Sequence, residues 1–289
     1  MRTAAVQSPV ATGELIPVRP RRVTSAKTVS NLVMLAFGAL FTAPLLWLFF
    51  ASVDSHASAA LAWPHFTLSN FSAAADSGNM QALLNSVYMS VIATLISTVP
   101  AALAAYAFSR HHIPWKGPLL LFILMLAGVP VTIMIVPVYE EFSRLNFLSI
   151  GPASVFLGVT SLPFEIWIIK NFIDAVPKEL EEAARLERAK TRHVLMRVVL
   201  PVALPGIGAA AIFGFINAWG NFLVPLVLMP NPAQIPAPVA IYGFFGGNGL
   251  RFGPLAAYSI MYSVPILLLY LGMGRLFRGG FAQGGAIRG

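Results

Sequence analysis

The chain has 289 residues, of which 57% are hydrophobic and only 10% are charged, and its formal net charge is +8. Its mean hydropathy of +0.76 is too high for a soluble domain, whose surface must be largely polar. Because the chain has no cysteine, disulfide bonds and thiolate metal sites are excluded. The basic residues border apolar runs, which is typical of a membrane protein and argues against a nucleic-acid partner.

Six apolar segments are long enough to cross a bilayer, which takes roughly 20 mostly apolar residues. In chain order they cover 31–53, 86–108, 119–139, 153–173, 206–229 and 255–277. The first segment is too long for the apolar part of a signal peptide, so we interpret it as a retained span. Prolines inside three segments predict kinks, because neighbouring helices can satisfy the carbonyls that proline leaves free; they are Pro130, Pro137, Pro225 and Pro265. We expect an all-α integral membrane protein with a membrane domain at 29–277, a mobile tail at 1–28 and a second tail at 278–289.

Lysine and arginine are distributed unevenly between the two sides that these segments define. Seventeen of the 19 lie in the N-terminal tail, in the loop after the second segment, in the region 170–197 or at the C-terminal end. Only Arg144 and Arg251 lie in the alternate loops. Because basic loops stay in the cytoplasm, both termini and the region 170–197 are predicted to be cytoplasmic.

The segment 174–204 differs from the rest of the chain, because half of residues 178–197 are charged. Pro177 suits the start of a helix, and the acidic residues after it complement the helix dipole. Helical spacing predicts one face of mostly small side chains, made of Leu180, Ala183, Ala184 and Glu187. Thr191 can cap a second helix, which Pro201 and Pro205 would end. We therefore predict a helix–turn–helix between two membrane spans.

Two interpretations of this helix–turn–helix remain open at this point. A small-residue face ringed by charge suits docking into a groove on a soluble partner. The alternative is an amphipathic loop that lies on the bilayer surface. Five carboxylates within 174–187 argue against that alternative, because anionic lipid would repel them.

Residues 177–205, PKELEEAARLERAKTRHVLMRVVLPVALP, resemble the EAA loop of the permease subunits of bacterial ATP-binding-cassette (ABC) importers. The positions that match in spacing are Glu182, Ala183, Ala184, Ala189, Leu200, Pro201 and Pro205. Glu187 stands where the family usually has Asp, and Arg188 stands where it usually has Gly. If the glycine adopts a positive φ, Arg188 would be strained by about 1 kcal/mol, and we expect a reshaped turn.

The stretches FTLSNF, NSVYMSVIATLISTVPAALAAYAFSR and NAWGNFLVPLVL are similar to the carbohydrate-import branch, in particular to the second, six-span permease of maltose-type transporters. This resemblance implies the type I ABC importer permease fold in a bacterial cytoplasmic membrane. It also implies that the chain forms half of the translocation path for a sugar or sugar-like solute. The loop positions implied to contact the ATPase are Glu182, Ala183, Ala184, Glu187, Arg188, Ala189, Leu200 and Pro201, and the C-terminal ones are Gln283, Gly284 and Gly285.

The same resemblance implies several partners. They are a second permease subunit that completes a heterodimer, two copies of a cytoplasmic ATPase and an external substrate-binding protein. ATP and magnesium would be bound by the ATPase, since this chain has no GxxxxGK[ST] phosphate loop and is not expected to be an enzyme. The Ala-, Val- and Arg-rich composition is typical of a GC-rich bacterium, in which we expect the binding protein to be a lipoprotein.

Four residues within the spans are candidates for the substrate path: Glu165, Asn217, Trp219 and Asn221. A carboxylate such as Glu165 is costly inside a span unless it faces a cavity or a partner. It could hydrogen-bond sugar hydroxyls or pair with the neighbouring permease. The other three could bind sugar or join helices by hydrogen bonds.

Two further function classes compete with an ABC permease. A gradient-driven secondary transporter that uses Glu165 is the main alternative. A membrane-embedded enzyme should show clustered ionisable residues at a span end, and no such cluster is visible in the sequence away from the charged loop. His111, His112 and His193 lack a second ligand at metal-binding spacing, so no metal site is predicted.

Overall fold

The computed structural model describes residues 24–60, 62–246 and 249–285, with side chains described at 29–60, 62–245 and 249–273. The helices are α1 Thr24–Ser52, α2 Ser69–Ala74, α3 Ser77–Arg110, α4 Lys116–Leu126, α5 Val131–Arg144, α6 Ile150–Asp174, α7 Lys178–Leu186, α8 Thr191–Val194, α9 Leu200–Trp219, α10 Leu223–Leu228, α11 Ala237–Ala240 and α12 Phe252–Gly285. Between them lie a π-helical turn, Leu195–Val199, and two 3-10 turns, Pro232–Gln234 and Ile241–Phe244. The short strands β1 Phe245–Gly246 and β2 Gly249–Leu250 form one antiparallel hairpin.

Five helices in the described part of the chain are long and apolar enough to cross a membrane. They are Val29–Ser52, Ser77–Arg110, Ile150–Asp174, Thr191–Trp219 and Phe252–Met273. The pair α4 and α5 makes a sixth candidate, which is bent by 81°. The predicted all-α membrane fold is therefore confirmed, with five to six candidate spans.

The third predicted segment is a broken helix and not one kinked span. Before Pro130, the amides of Ala127, Gly128 and Val129 each donate to a carbonyl only three residues back, at 3.0–3.2 Å. This tightening ends α4, and Pro130 then precedes α5 in an extended conformation, with ψ of 129°. Proline cannot donate to the preceding turn, so the predicted kink becomes a full break.

The fifth predicted segment, 206–229, is wrong at both ends. The helical run starts at Thr191 and continues to Trp219, while Pro225 lies in the separate helix α10. The sequence predicted that Pro201 and Pro205 end the second helix of the charged segment. In the structure both prolines lie inside α9. In the π turn, the Leu200 amide donates to the carbonyl of Leu195, five residues back. That shift lets the helix absorb Pro201 without a break.

The chain divides into two compact units, Met1–Leu46 and Trp47–Gly289. In the first unit, every described side chain from 29 to 46 is exposed, although this stretch is strongly apolar. An apolar helix with a fully exposed surface fits contact with lipid or with another subunit.

Helices α3, α6 and α9 pack against one another at the centre of the second unit. Small residues allow their close approach. A Cβ added at Gly158 of α6 would lie 2.6 Å from the carbonyl oxygen of Ala93 in α3. Close packing through small residues is the usual way in which membrane helices associate.

Candidate functional site

The charged segment folds into the predicted helix–turn–helix. Pro177 occupies the cap position before α7, and Glu179 and Glu181 lie in its first turn, where the helix dipole favours negative charge. Lys190 occupies the cap position of α8, and Thr191 is the first helical residue. The predicted Thr191 cap is therefore wrong by one residue, and no side chain caps this helix.

The turn between α7 and α8 places Arg188 in the left-handed conformation, with φ of 59°. The Arg188 amide donates to the carbonyl of Arg185 at 2.9 Å, and the Ala189 amide donates to that of Ala184 at 3.0 Å. The geometry that suits glycine is therefore kept, and the expected reshaping of the turn does not occur. The conformation costs about 1 kcal/mol for a residue that carries a Cβ.

The predicted small-residue face divides between the interior and the surface. Ala184 and Ala189 are half-buried against the core, whereas Glu182, Ala183 and Glu187 are exposed. Leu186 at the end of α7 is 86% exposed, a feature that the sequence analysis did not single out. We call the exposed set Glu182, Ala183, Leu186, Glu187 and Arg188 the α7 surface.

A buried ion pair anchors α7 to α3. Nε of Arg110 lies 2.5 Å from Oε1 of Glu181, and these side chains are only 6% and 5% exposed. Nη2 of Arg110 also donates to the carbonyl of Val176 at 2.7 Å, and the Tyr106 hydroxyl lies 3.4 Å from Oε2 of Glu181. Sequence reasoning missed this pair because Glu181 looks like one more residue of an exposed acidic run.

A second polar contact joins the same end of α3 to α6. The Ser109 hydroxyl donates to Oδ1 of Asp174 at 2.5 Å, and Lys170 forms an ion pair with the same carboxylate. Asp174 is the last residue of α6, directly before the segment that leads to α7. The segment that leads to α7 therefore begins where α3 and α6 are joined.

Five further residues predicted to contact the ATPase belong to other helices. Leu200 is half-buried against the core of α3, α6 and α9, and Pro201 is exposed in the first turn of α9. Helix α12 extends beyond the predicted boundary at 277, and its last three residues are Gln283, Gly284 and Gly285. Their side chains lie outside the described residues.

Glu165 is fully buried between α3, α6 and α9. The Ser97 hydroxyl donates to Oε1 and the Thr98 hydroxyl donates to Oε2, each at 2.7 Å. Gly214 of α9 packs directly against the carboxylate. Both carboxylate oxygens therefore accept a hydrogen bond from a side chain of this chain.

The predicted cluster of Asn217, Trp219 and Asn221 does not form one surface. Trp219 is fully buried, and its ring stacks with that of Tyr262 at a centroid distance of 5.0 Å. Asn221 accepts a hydrogen bond from the Val224 amide at 3.0 Å, at the start of α10. Asn217 is exposed and donates to the Ser161 hydroxyl at 3.1 Å. Asn217 is thus exposed and Asn221 half-buried, whereas Trp219 keeps no surface that a solute could contact.

Sequence relatives of this chain are membrane permeases. The family described as binding-protein-dependent transport system inner membrane component matches residues 97–279. The trehalose transport system permease protein SugB of Mycobacterium tuberculosis is 32% identical over 72% of this chain and 77% of its own length. The sulfoquinovosyl glycerol transport system permease protein SmoH of Agrobacterium fabrum is 30% identical over 78% and 82%. The diacetylchitobiose uptake system permease protein NgcG of Streptomyces coelicolor is 29% identical over 89% and 87%.

Solved structures share the fold. One chain of a bacterial ABC transporter involved in the import of the acidic polysaccharide alginate superposes with a TM-score of 0.76 at 18% identity, over 91% of this chain and 100% of that chain. The MetNI methionine ABC transporter in an inward-facing conformation gives a TM-score of 0.54 at 16% identity, over 70% and 95%. The chain belongs to the family of binding-protein-dependent transport system inner membrane components, and it is a non-catalytic permease subunit of an ABC importer.

Proposed function

We propose that this permease forms half of the translocation path for a sugar or sugar-like solute and is driven through the α7 surface by a cytoplasmic ATPase. The sugar class is supported by the relatives, whose names refer to trehalose, sulfoquinovosyl glycerol and diacetylchitobiose. The gradient-driven alternative loses its basis, since Glu165 is buried and satisfied within this chain.

The observation that carries the coupling proposal is an exposed helix held by a buried ion pair. Leu186 exposes its aliphatic side chain beside Ala183 and Glu187, on the helix whose sequence resembles the EAA loop of ABC importer permeases. Behind it, Glu181 binds Arg110 in the last turn of α3. A force applied to α7 would reach α3 directly and would reach α6 through Ser109 and Asp174.

The wider assembly follows from the same proposal. The chain would pair with a second permease subunit, and two ATPase copies would bind ATP and magnesium. An external binding protein, in lipoprotein form, would deliver the solute. The distribution of basic residues supports cytoplasmic termini in a bacterial cytoplasmic membrane.

Purification of the N-terminally tagged chain from its native membrane in mild detergent tests this assembly. We expect a second permease and an ATPase to co-purify, at one and two copies per tagged chain. Recovery of the tagged chain alone, or only with copies of itself, would refute the proposed coupling. If the assembly co-purifies, mass spectrometry of sugars bound to the external binding protein would identify the solute class.

A further inference from the structure

The segment between α1 and α2 forms a hairpin that brings its two ends together. Asp54 and Phe66 make an antiparallel bridge. The Ser55 amide donates to the carbonyl of His65 at 3.0 Å, and the Thr67 amide donates to that of Val53 at 2.8 Å. The two histidines of this segment, His56 and His65, are therefore held next to each other although eight residues separate them in sequence.

The carboxylate of Asp54 lies at the centre of this hairpin. The His65 amide donates to Oδ1 at 2.9 Å, and the His56 amide donates to the same oxygen at 3.1 Å. These two hydrogen bonds, led by that of His65, hold the pKa of the Asp54 carboxyl below its usual value. Asp54 is only 7% exposed, and Asn70 fixes its carbonyl oxygen with a hydrogen bond of 2.8 Å.

Both imidazole rings lie near this carboxylate. Nδ1 of His65 lies 3.6 Å from Oδ1 of Asp54, and the rings of His56 and His65 have centroids 5.0 Å apart at an angle of 72°. One ligand atom from each of these three residues lies within 4.8 Å of the other two. The Ser55 hydroxyl lies 3.0 Å from Nδ1 of His56, a contact that can orient the ring.

We infer that Asp54, His56 and His65 form a binding site for a divalent transition-metal ion of the zinc type. Two imidazole nitrogens and one carboxylate oxygen are a ligand set that zinc and cobalt accept, whereas calcium and magnesium prefer oxygen ligands alone. A tetrahedral zinc site places its ligands roughly 3.3 Å apart, so small rotations of the two exposed rings would complete it. Three protein ligands leave a fourth position for water or for a group from another molecule.

This inference differs from the sequence-based expectation of no metal site. The three ligands occur at positions 54, 56 and 65, a spacing that matches no common zinc motif, and only the hairpin brings them together. The site does not depend on the proposed transport function, because it uses this chain alone. In the proposed topology it lies on the outer face of the membrane, opposite the α7 surface.

Cobalt titration of the full chain in lipid nanodiscs tests the site. The protein must carry a tag without histidine, and the probe is Co²⁺ alone, followed by visible absorption and then displaced by Zn²⁺. We expect one equivalent to bind and the affinity to fall at least tenfold in His56→Gln and in His65→Gln. The control His111→Gln/His112→Gln removes two exposed histidines elsewhere and should bind like the parent.

A second readout separates metal binding from damage to the hairpin. Asp54 also fixes the backbone, so Asp54→Asn can disturb the fold, whereas His56→Gln and His65→Gln remove only exposed rings. Without metal, both histidine variants should unfold at the parent's midpoint temperature, and Zn²⁺ should raise the midpoint of the parent but not theirs. Unchanged cobalt affinity in His56→Gln/His65→Gln, an equal loss in the control, or no binding by the parent would each overturn the inference.

Discussion

Arg110 and Glu181 form an ion pair between the last turn of α3 and the first turn of α7, with 2.5 Å between Nε and Oε1. At 6% and 5% exposure, both side chains are almost completely withdrawn from solvent. A charge buried in this way depends on its partner. The pair therefore sets the position of α7 relative to the membrane helices.

Removal of one partner should destabilise the protein strongly. Arg110→Ala leaves the buried Glu181 carboxylate with only the largely exposed Arg185, 4.0 Å away, as a counter-charge, so the loss should approach that of an unpaired buried charge, about 3–5 kcal/mol. The free energy of unfolding of the chain in detergent micelles measures this loss. The exposed pair Arg144 and Glu141, at 71% and 61% exposure, gives the matched control, and Arg144→Ala should cost less than about 1 kcal/mol.

The double variant Arg110→Met/Glu181→Leu separates charge from packing. Apolar residues of similar volume often replace a buried ion pair without loss, so the double variant should be more stable than Arg110→Ala. Equal stability of the two variants would show that the unpaired Glu181 carboxylate does not destabilise Arg110→Ala through its desolvation.

Replacement of Arg188 by glycine should stabilise the turn. Its φ of 59° is unfavourable for a residue with a Cβ and free of strain for glycine. Strain relief of about 1 kcal/mol is partly offset by the added entropy of the unfolded chain, so we expect a net gain of a few tenths of a kcal/mol. The control Arg192→Gly lies inside α8 and should lose about 0.5–1 kcal/mol. Thermal unfolding should show a higher midpoint temperature for Arg188→Gly and a lower one for Arg192→Gly. A lower midpoint in Arg188→Gly would contradict the assignment of strain.

Leu186→Ser should weaken ATPase binding without destabilising the permease. The side chain is 86% exposed, so its removal should change the free energy of unfolding by less than about 0.5 kcal/mol. If the ATPase covers it, the affinity should fall at least tenfold, which is about 1.4 kcal/mol. Titration of the purified ATPase onto the chain in nanodiscs measures this affinity. Leu145, 56% exposed in the loop after α5, supplies the control Leu145→Ser, and an equal effect in both variants would exclude specific docking through Leu186.

Glu165 should act through stability and not through solute binding. Glu165→Leu leaves the buried Thr98 hydroxyl without its acceptor, at about 1–3 kcal/mol, whereas the Ser97 hydroxyl keeps the Thr94 carbonyl at 3.1 Å. Glu165→Gln keeps an acceptor and a donor in the same place and should be much milder. The thermal unfolding midpoint distinguishes the two variants. A large change in transport KM with Glu165→Gln at unchanged stability would instead support direct contact with the solute.

Hydropathy and charge by themselves determined the membrane architecture. An apolar run of about 20 residues is a local property of the sequence. The all-α membrane fold and the candidate spans could therefore be predicted without knowledge of the tertiary contacts. The charged helix–turn–helix was also visible, because acidic residues after Pro177 favour a helix start wherever the segment is placed. The resemblance of its motif then indicated the family, which the relatives confirm.

The tertiary structure alone decided which polar side chains are buried. Glu181 and Glu182 are adjacent in sequence, yet one lies in the core beside Arg110 and the other is exposed. Glu165 finds its partners 67 and 68 residues away, at Thr98 and Ser97. Helix continuity through Pro201 depended on a π turn that residue propensity does not reveal. These outcomes depend on which helices meet, and local periodicity contains no information about partners that are distant in the chain.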